Sequence, residues 1–460
     1  MTSTAVVLGG SLAGLLAARA LAETATEVTL VERDFLPAEA APRKNLPQAR
    51  HAHQLWSGGA RALAELVPGI ASRLAEAGVR RHAVTTDMVV LSPYGWYRRW
   101  PESHHMLLAG RDLLDATVRA AVLAHPRIRL LQETEALGLD GTANAVTQVR
   151  LRHRDGTERT LEADLFVDTT GRASRTPHWL KELGLPEPPH RVVDSGGAYA
   201  TRLFRAPEAA RDEFPVVNVQ PDPRTGEPGR AGVLLPIENG IWLVTLFGTR
   251  GGEPSSDTGE FSAYARTLRH PVLADLVERA TPLTDVAFTR TMANRRFFYE
   301  KMTSWPDNYT VLGDALCALN PVYGHGMSVA AQQALILRDL TIRHGIGGRG
   351  LSRRIQKAVS RPASAAWDLA LGMDVFYPGA TETGPTFRDR ALAAYVGRLL
   401  HTATGNGRIA RAVTDVTSLE RGGQALLAPS VLLAAIAGPL RPALEDAPLT
   451  AEERKRAGLE

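Results

Sequence analysis

Six residues near the N-terminus, Gly9-Gly10-Ser11-Leu12-Ala13-Gly14, follow a short apolar run and open a helical pattern. In that context their backbone N–H groups and a helix N-terminus can face a pyrophosphate. Ser11 stands where such turns usually carry a second glycine, giving G-x-S-x-x-G; its short side chain is consistent with close backbone approach, though less permissively than glycine. Glu32 ends the next strand 18 residues after Gly14. A carboxylate there accepts hydrogen bonds from adenosine ribose hydroxyls, which favours FAD or NAD over NADP. No Ser-His-Asp elbow, HExxH helix or CxxC pair is present. His51, His53 and His325 are candidates for tuning a cofactor or substrate, the alternative being structural hydrogen bonding. No catalytic side chain is singled out beyond His325.

The elements that must position these residues begin with a βαβ unit: strand 5–8, helix 15–22 and strand 27–32. Residues 111–123 carry Leu113, Leu114, Val118 and Val122 at helical spacing, and strand 128–131 follows. Asp155-Gly156 is a turn signal joining the strands 146–153 and 160–163. Strand 165–168 then runs into Thr169-Thr170-Gly171. Between 196 and 248 four strands (198–204, 216–219, 232–237 and 241–247) succeed one another without helices, which predicts a separate, mostly antiparallel sheet. Two short amphipathic segments, 261–268 and 271–280, come next. Beyond Gly326 the pattern is helical, with loops at 345–350 and 377–385.

The expected fold class is α/β. A discontinuous Rossmann-like cofactor domain takes residues 1–84, 108–195 and 290–340. A mostly antiparallel substrate domain is inserted as 85–107 and 196–289, and a helical region fills 341–460. At 460 residues the chain exceeds one core and is long enough to bury a cofactor. Apolar content of 44% with 22% charged residues excludes global disorder. The net charge of +4 is spread among acids, and no zinc-finger, RNA-recognition or basic-helix signature accompanies it, which argues against nucleic acid. Cys317 is the sole cysteine, so no intrachain disulfide or Cys-rich metal site can form, and a reducing, cytoplasmic setting is expected. The N-terminus lacks a basic n-region and cleavage site. Residues 426–440 are apolar but only 15 long and broken by Pro429 and Pro439. That predicts no stable membrane insertion; a packed helix is expected, with a membrane-touching surface helix as the alternative.

The chain resembles the class A-like flavoprotein monooxygenases, the aromatic hydroxylase and epoxidase superfamily, through three elements in order. These are the N-terminal fingerprint with Glu32, Arg111 at the start of a helix, and Gly313-Asp314-Ala315 followed by Asn320-Pro321-Val322-Tyr323-Gly324-His325-Gly326-Met327. A narrower resemblance, to the flavin epoxidases of polyether-ionophore polyketide biosynthesis, rests on Arg43-Lys44 with Leu46-Pro47-Gln48-Ala49-Arg50-His51-Ala52-His53, on Tyr199-Ala200-Thr201-Arg202-Leu203-Phe204, on Thr249-Arg250-Gly251-Gly252, and on the Asn320 string. The resemblance implies a glutathione-reductase-like domain binding FAD non-covalently. Besides Gly9, Ser11, Gly14 and Glu32, it assigns cofactor contacts to Arg33, Arg43, Arg111, Asp314, Pro321, Gly324, Gly326 and Met327. Asp168-Thr169-Thr170-Gly171-Arg172 stands where hydroxylases often have Asp-Gly, which puts their way of handling NADPH in doubt.

The reaction so implied starts from reduced FAD and O₂, forming a flavin C4a-hydroperoxide that attacks an electron-rich alkene. Electrons come from NAD(P)H or a partner flavin reductase. The expected substrate is a large apolar polyketide of bacterial antibiotic biosynthesis, epoxidised or hydroxylated. A non-redox cyclase keeping FAD as a structural element is the alternative, and a flavin reductase or carrier a third reading. Halogenases are disfavoured, since W-x-W-x-I-P is absent. The strands 198–247, with Phe204, Trp242 and Phe247, are expected to roof the flavin, and Tyr94, Trp96 and Trp100 to line the same cavity.

Overall fold

The computed structural model describes residues 3–43, 46–290 and 293–460; Lys44 and Asn45 of the Arg43 string lie outside these. Strand β1 (Thr4–Leu8) is almost wholly apolar, and from Ala5 onward its side chains are buried on both faces, as a central parallel strand requires. It pairs in parallel with β2 (Glu27–Val31) on one side and, across the sheet, with the strand Leu165–Asp168 on the other. Helix α1 (Leu12–Leu21) covers it and packs against α2 (Arg111–Leu123). With β3 (Ile128–Leu131) and β4 (Leu165–Asp168) added, and Tyr309–Val311 at the far edge, the sheet has five strands. Because the chain leaves β1 toward β2 and returns on the other side as β4, a crevice opens at their C-terminal ends. That is where open α/β sheets bind ligands.

The second sheet holds β5 (Ala198–Arg205), β6 (Val216–Val219), β7 (Arg230–Ile237) and β8 (Ile241–Gly248) in antiparallel pairings, with Met88–Ser92 added parallel to β6. Helices α3 (Phe261–Arg266) and α4 (Val272–Arg279) share a core with one face of it. The strand His105–Leu108 pairs with Gln54–Trp56 and Arg80–Ala83, so residues 105–107 sit with a small sheet beside the cofactor domain while Met88–Ser92 joins the larger one. After α5 (Gly326–His344) and α6 (Leu351–Asp374), helices α7 (Phe387–Gly405), α8 (Gly407–Thr417) and α9 (Pro429–Ala437) enclose a small core around Leu399, Ile409 and Val431. Among the described residues no helix is long and apolar enough to cross a membrane, and no group of three or more His, Cys, Asp or Glu is placed to hold a metal ion.

Candidate functional site

The turn between β1 and α1 admits only glycine at its two ends. Gly9 has φ +99°, and a Cβ there would lie 2.7 Å from the Thr169 carbonyl oxygen. At Gly14 a Cβ would lie 1.7 Å from the Gly9 carbonyl oxygen. Ser11 is the N-cap of α1 in an extended conformation, yet its side chain makes no capping bond, and no acid sits in the first turn. The first N–H groups and the positive end of α1 are therefore left to the crevice. Glu32, 5% exposed, accepts the Gly10 N–H at 2.6 Å and the Asp34 N–H at 2.9 Å, and pairs with Arg43 at 3.0 Å. Arg43 lies 3.6 Å from Asp34 as well, while its buried Nε has no partner among the described residues. In Glu32→Gln one acceptor becomes an NH₂ facing those N–H donors. The loss of a charge-assisted bond of about 2 kcal/mol should weaken dinucleotide binding by roughly tenfold or more, measured by titrating the apoprotein.

The opposite wall comes from 313–327. Gly313-Asp314 follows the edge strand, and Asp314 lies 3.9 Å from Arg172. Gly324 has φ +63°, and a Cβ there would meet Gln54 at 2.4 Å. His325 is the N-cap of α5, again without a side-chain cap bond and with no acid in the first turn. A groove of about 410 Å³ runs between the two walls, lined by Gly9, Ser11, Glu32, Arg33, Arg43, Arg111, Asp314, Pro321, Gly324, His325, Gly326 and Met327. Arg111 holds Asp115 at 2.8 Å. Two acid-free helix N-termini thus converge on one groove, with a carboxylate at the end of β2. This donor set fits a dinucleotide whose pyrophosphate and second ring system both need N–H groups.

Residues 1–370 match the protein family described as FAD binding domain. The chain belongs to this family. It is similar to Protein Rv3254 of Mycobacterium tuberculosis, 30% identical over a 399-residue alignment, with 82% of this chain and 81% of the relative covered. Kynurenine 3-monooxygenase of Salinispora tropica is 28% identical over a 375-residue alignment, with 74% of this chain and 72% of that enzyme covered. Among solved structures, the flavoprotein/dehydrogenase of Cytophaga hutchinsonii shares the fold with a TM-score of 0.68 at 13% identity, covering 94% of this chain and 96% of that one.

In this FAD-binding domain the Asp168 string turns out to serve the first glycine turn. Asp168, fully buried, accepts bonds from the Thr170 N–H at 2.8 Å, the Thr170 hydroxyl at 2.7 Å, and the Ser174 and Thr176 hydroxyls at 2.5 Å each. The Thr169 hydroxyl donates to the Leu8 and Gly9 carbonyls at 2.7 and 3.0 Å. The loop clamps the glycine turn, and its carboxylate is used up in shaping the loop.

The expected roof needs correction. Strand pairing sets Phe204 opposite Trp242, and both belong to the core shared with α3 and α4: Phe204 lies 5.8 Å from Phe261, and Trp242 lies 4.7 Å from Phe214. Trp96 joins the same core and packs edge-on against His270 at 5.0 Å. Tyr94 stacks under Arg224 and abuts Gly397 of α7, and Trp100 sits against Gly407 and Arg441. None of these lines the FAD groove. The opposite parity of the same strands, Tyr199, Thr201, Thr245 and Phe247, reaches the cofactor domain instead: Tyr199 packs on Phe247 at 4.9 Å and hydrogen-bonds Asn320. The helices predicted over 261–280 were the signal, because they need an apolar sheet face and Phe204 and Trp242 supply it.

Sequence reasoning missed the residue that ties this wall together. Asp374, at the end of α6 and 1% exposed, accepts from Asn294 at 2.6 Å, Asn320 at 3.1 Å and the Tyr323 hydroxyl at 2.6 Å. Asn294 also accepts the Asn320 N–H at 2.7 Å. Burial pushes the Asp374 carboxyl above its usual range, against the pull of the three donors. Two histidines complete the wall. His51 bonds Thr201 at 2.8 Å, and His325 Nε2 donates to the Thr417 carbonyl at 2.9 Å, which leaves Nδ1 as a buried lone pair without a partner among the described residues. Next to it, Gln332 donates to the Leu419 carbonyl and the Gly58 N–H to the Ser418 carbonyl, so residues 417–419 lie across the start of α5.

Burial lowers both histidines to about 4, with Arg50 adding to the effect at His51 and the Thr417 bond opposing it at His325. Their folded values lie below the ordinary histidine value of 6.5, so the unfolded chain binds more protons between the two. Stability is full above that upper value and falls as pH drops toward the lower one. Thermal unfolding at a series of pH values should show the melting temperature and FAD retention declining over this window, with a shallower decline in His325→Gln.

Proposed function

We propose that this protein is an FAD-dependent monooxygenase, and that its substrate is a large, mostly apolar polyketide that it epoxidises or hydroxylates. The observation that carries the reading is the start of α5. An acid-free helix N-terminus follows the Gly324–Gly326 turn at the groove, beside a buried aromatic pair, and among the described residues no nucleophile-and-base pair stands there to suggest hydrolysis. Reduced FAD, when bound, supplies the activation of O₂.

The chain's own part is binding, orientation and dryness. The Gly9 turn and α1 would hold the pyrophosphate and Glu32 the ribose. The N–H groups of residues 324–327 would orient the ring system and stabilise negative charge on its polar edge. Tyr199, Phe247 and the Asp374 network fix the wall that excludes water. His325, kept neutral, offers a lone pair in place of a cation. The likeness to a kynurenine 3-monooxygenase supports oxygen insertion; the resemblance to polyether epoxidases supports the substrate class. NAD(P)H, directly or through a separate flavin reductase, is the proposed electron source.

The test supplies the purified holoprotein with an electron source, ¹⁸O₂ and linear polyene polyketides, and follows product mass. Gain of one heavy oxygen per turnover is expected. Cyclised product without label would replace this reading with the non-redox cyclase, and peroxide release without any product would favour a reductase.

A further inference from the structure

Five of the twelve exposed large hydrophobic residues among those described fall between 427 and 440. Helix α9 is the reason. Val431 and Ala435, one turn apart, face the small C-terminal core, while Leu432, Leu433 and Ile436 point outward, and Leu433, Ile436 and Leu440 are 69%, 75% and 73% exposed. A helix whose outward face is apolar needs an apolar partner.

The charge of the segment that carries this face says which one. Residues 386–441 contain seven arginines against three acids, Asp389, Asp415 and Glu420. Each acid is engaged: Asp389 in a capping box, Asp415 with His104, and Glu420 with Arg61. Arg398 reaches the Ala435 and Ile436 carbonyls at the end of α9, and Arg441 follows Leu440 directly. Arg408 and Arg411 of α8, both exposed, have no carboxylate within ion-pair distance among the described residues. A second copy docking through the same face would set these arginines against each other. An anionic surface with an apolar interior matches both the charge and the side chains.

We propose that α9 and the arginines of the helices packed with it form a docking face for the surface of an anionic lipid bilayer, with α9 lying in the plane of the membrane and Leu433, Ile436 and Leu440 dipping among the acyl chains. Contact of this kind is peripheral and reversible. It would hold the enzyme where large apolar molecules partition.

The test is flotation of the full-length holoprotein with vesicles of phosphatidylcholine alone, and with vesicles in which phosphatidylglycerol replaces part of it. Binding to the anionic vesicles should exceed binding to the neutral ones by about tenfold and weaken with salt. Leu433→Glu with Ile436→Glu should abolish it with FAD content and circular dichroism unchanged. Arg408→Gln with Arg411→Gln should weaken binding on anionic vesicles alone. Failure to float with anionic vesicles, or binding unaffected by either double variant, overturns the proposal. So does a lipid-free dimer, seen by sedimentation, that the glutamate pair dissolves, since the occupant is then a second copy.

Discussion

Gly14→Ala should leave a protein that no longer retains FAD, with affinity reduced by at least about a hundredfold, equivalent to roughly 2.7 kcal/mol. The added methyl would sit 1.7 Å from the Gly9 carbonyl oxygen and 2.7 Å from the Thr169 hydroxyl. Neither can yield cheaply, because the first is backbone inside the turn and the second is bonded to both Leu8 and Gly9. The turn has to open, and the N–H groups that α1 offers the pyrophosphate move with it. Ser11→Gly is the control: its side chain caps nothing, so FAD binding should survive. Flavin fluorescence titration and the yellow colour of the purified protein read both variants. A Gly14→Ala protein that binds FAD normally would show that close packing of the turn is dispensable.

Asp374→Ala should be the most destabilising single change in the second wall, by about 3–5 kcal/mol, because it leaves two amide donors and a phenol buried without an acceptor. Asp374→Asn keeps the shape, can still accept from Asn294 and Asn320 while its NH₂ donates to the Tyr323 hydroxyl, and should lie between wild type and Asp374→Ala. Urea unfolding gives the stability. Faster FAD release and a larger share of reducing equivalents lost to peroxide would separate slackening of the 320–323 turn from general destabilisation. Equal stability of Asp374→Ala and wild type would remove Asp374 from its positioning role.

Legibility in the sequence followed the range of the interaction. The Gly9 to Gly14 turn, Glu32 and the start of α5 lie in short segments whose order alone brings them to the crevice of a βαβ sheet; Gly9, Ser11, Glu32 and Gly326 line one groove, while Gly14 packs behind it against Gly9 and Thr169. The strands of the second sheet were readable from their composition, but which face turned inward was not read from it. Assigning Phe204 and Trp242 to the flavin side put the larger aromatics where the chemistry was expected. The pleat and the demand of α3 and α4 for an apolar bed send them the other way. Asp374 was invisible for a different reason. It meets Asn320 across 54 residues and Asn294 across 80, and no local pattern marks an acid at the end of a long helix as the acceptor for a distant turn.

The stretch crossing the start of α5 has a consequence for where this protein can be cut. The FAD binding domain match ends at residue 370, yet the carbonyl partners of His325, Gln332 and the Gly58 N–H are supplied by Thr417, Leu419 and Ser418. A chain terminated at the family boundary would expose those groups and also lack Asp374. A protein cut at the end of the family match is therefore expected to melt below the full-length chain and to hold FAD less tightly.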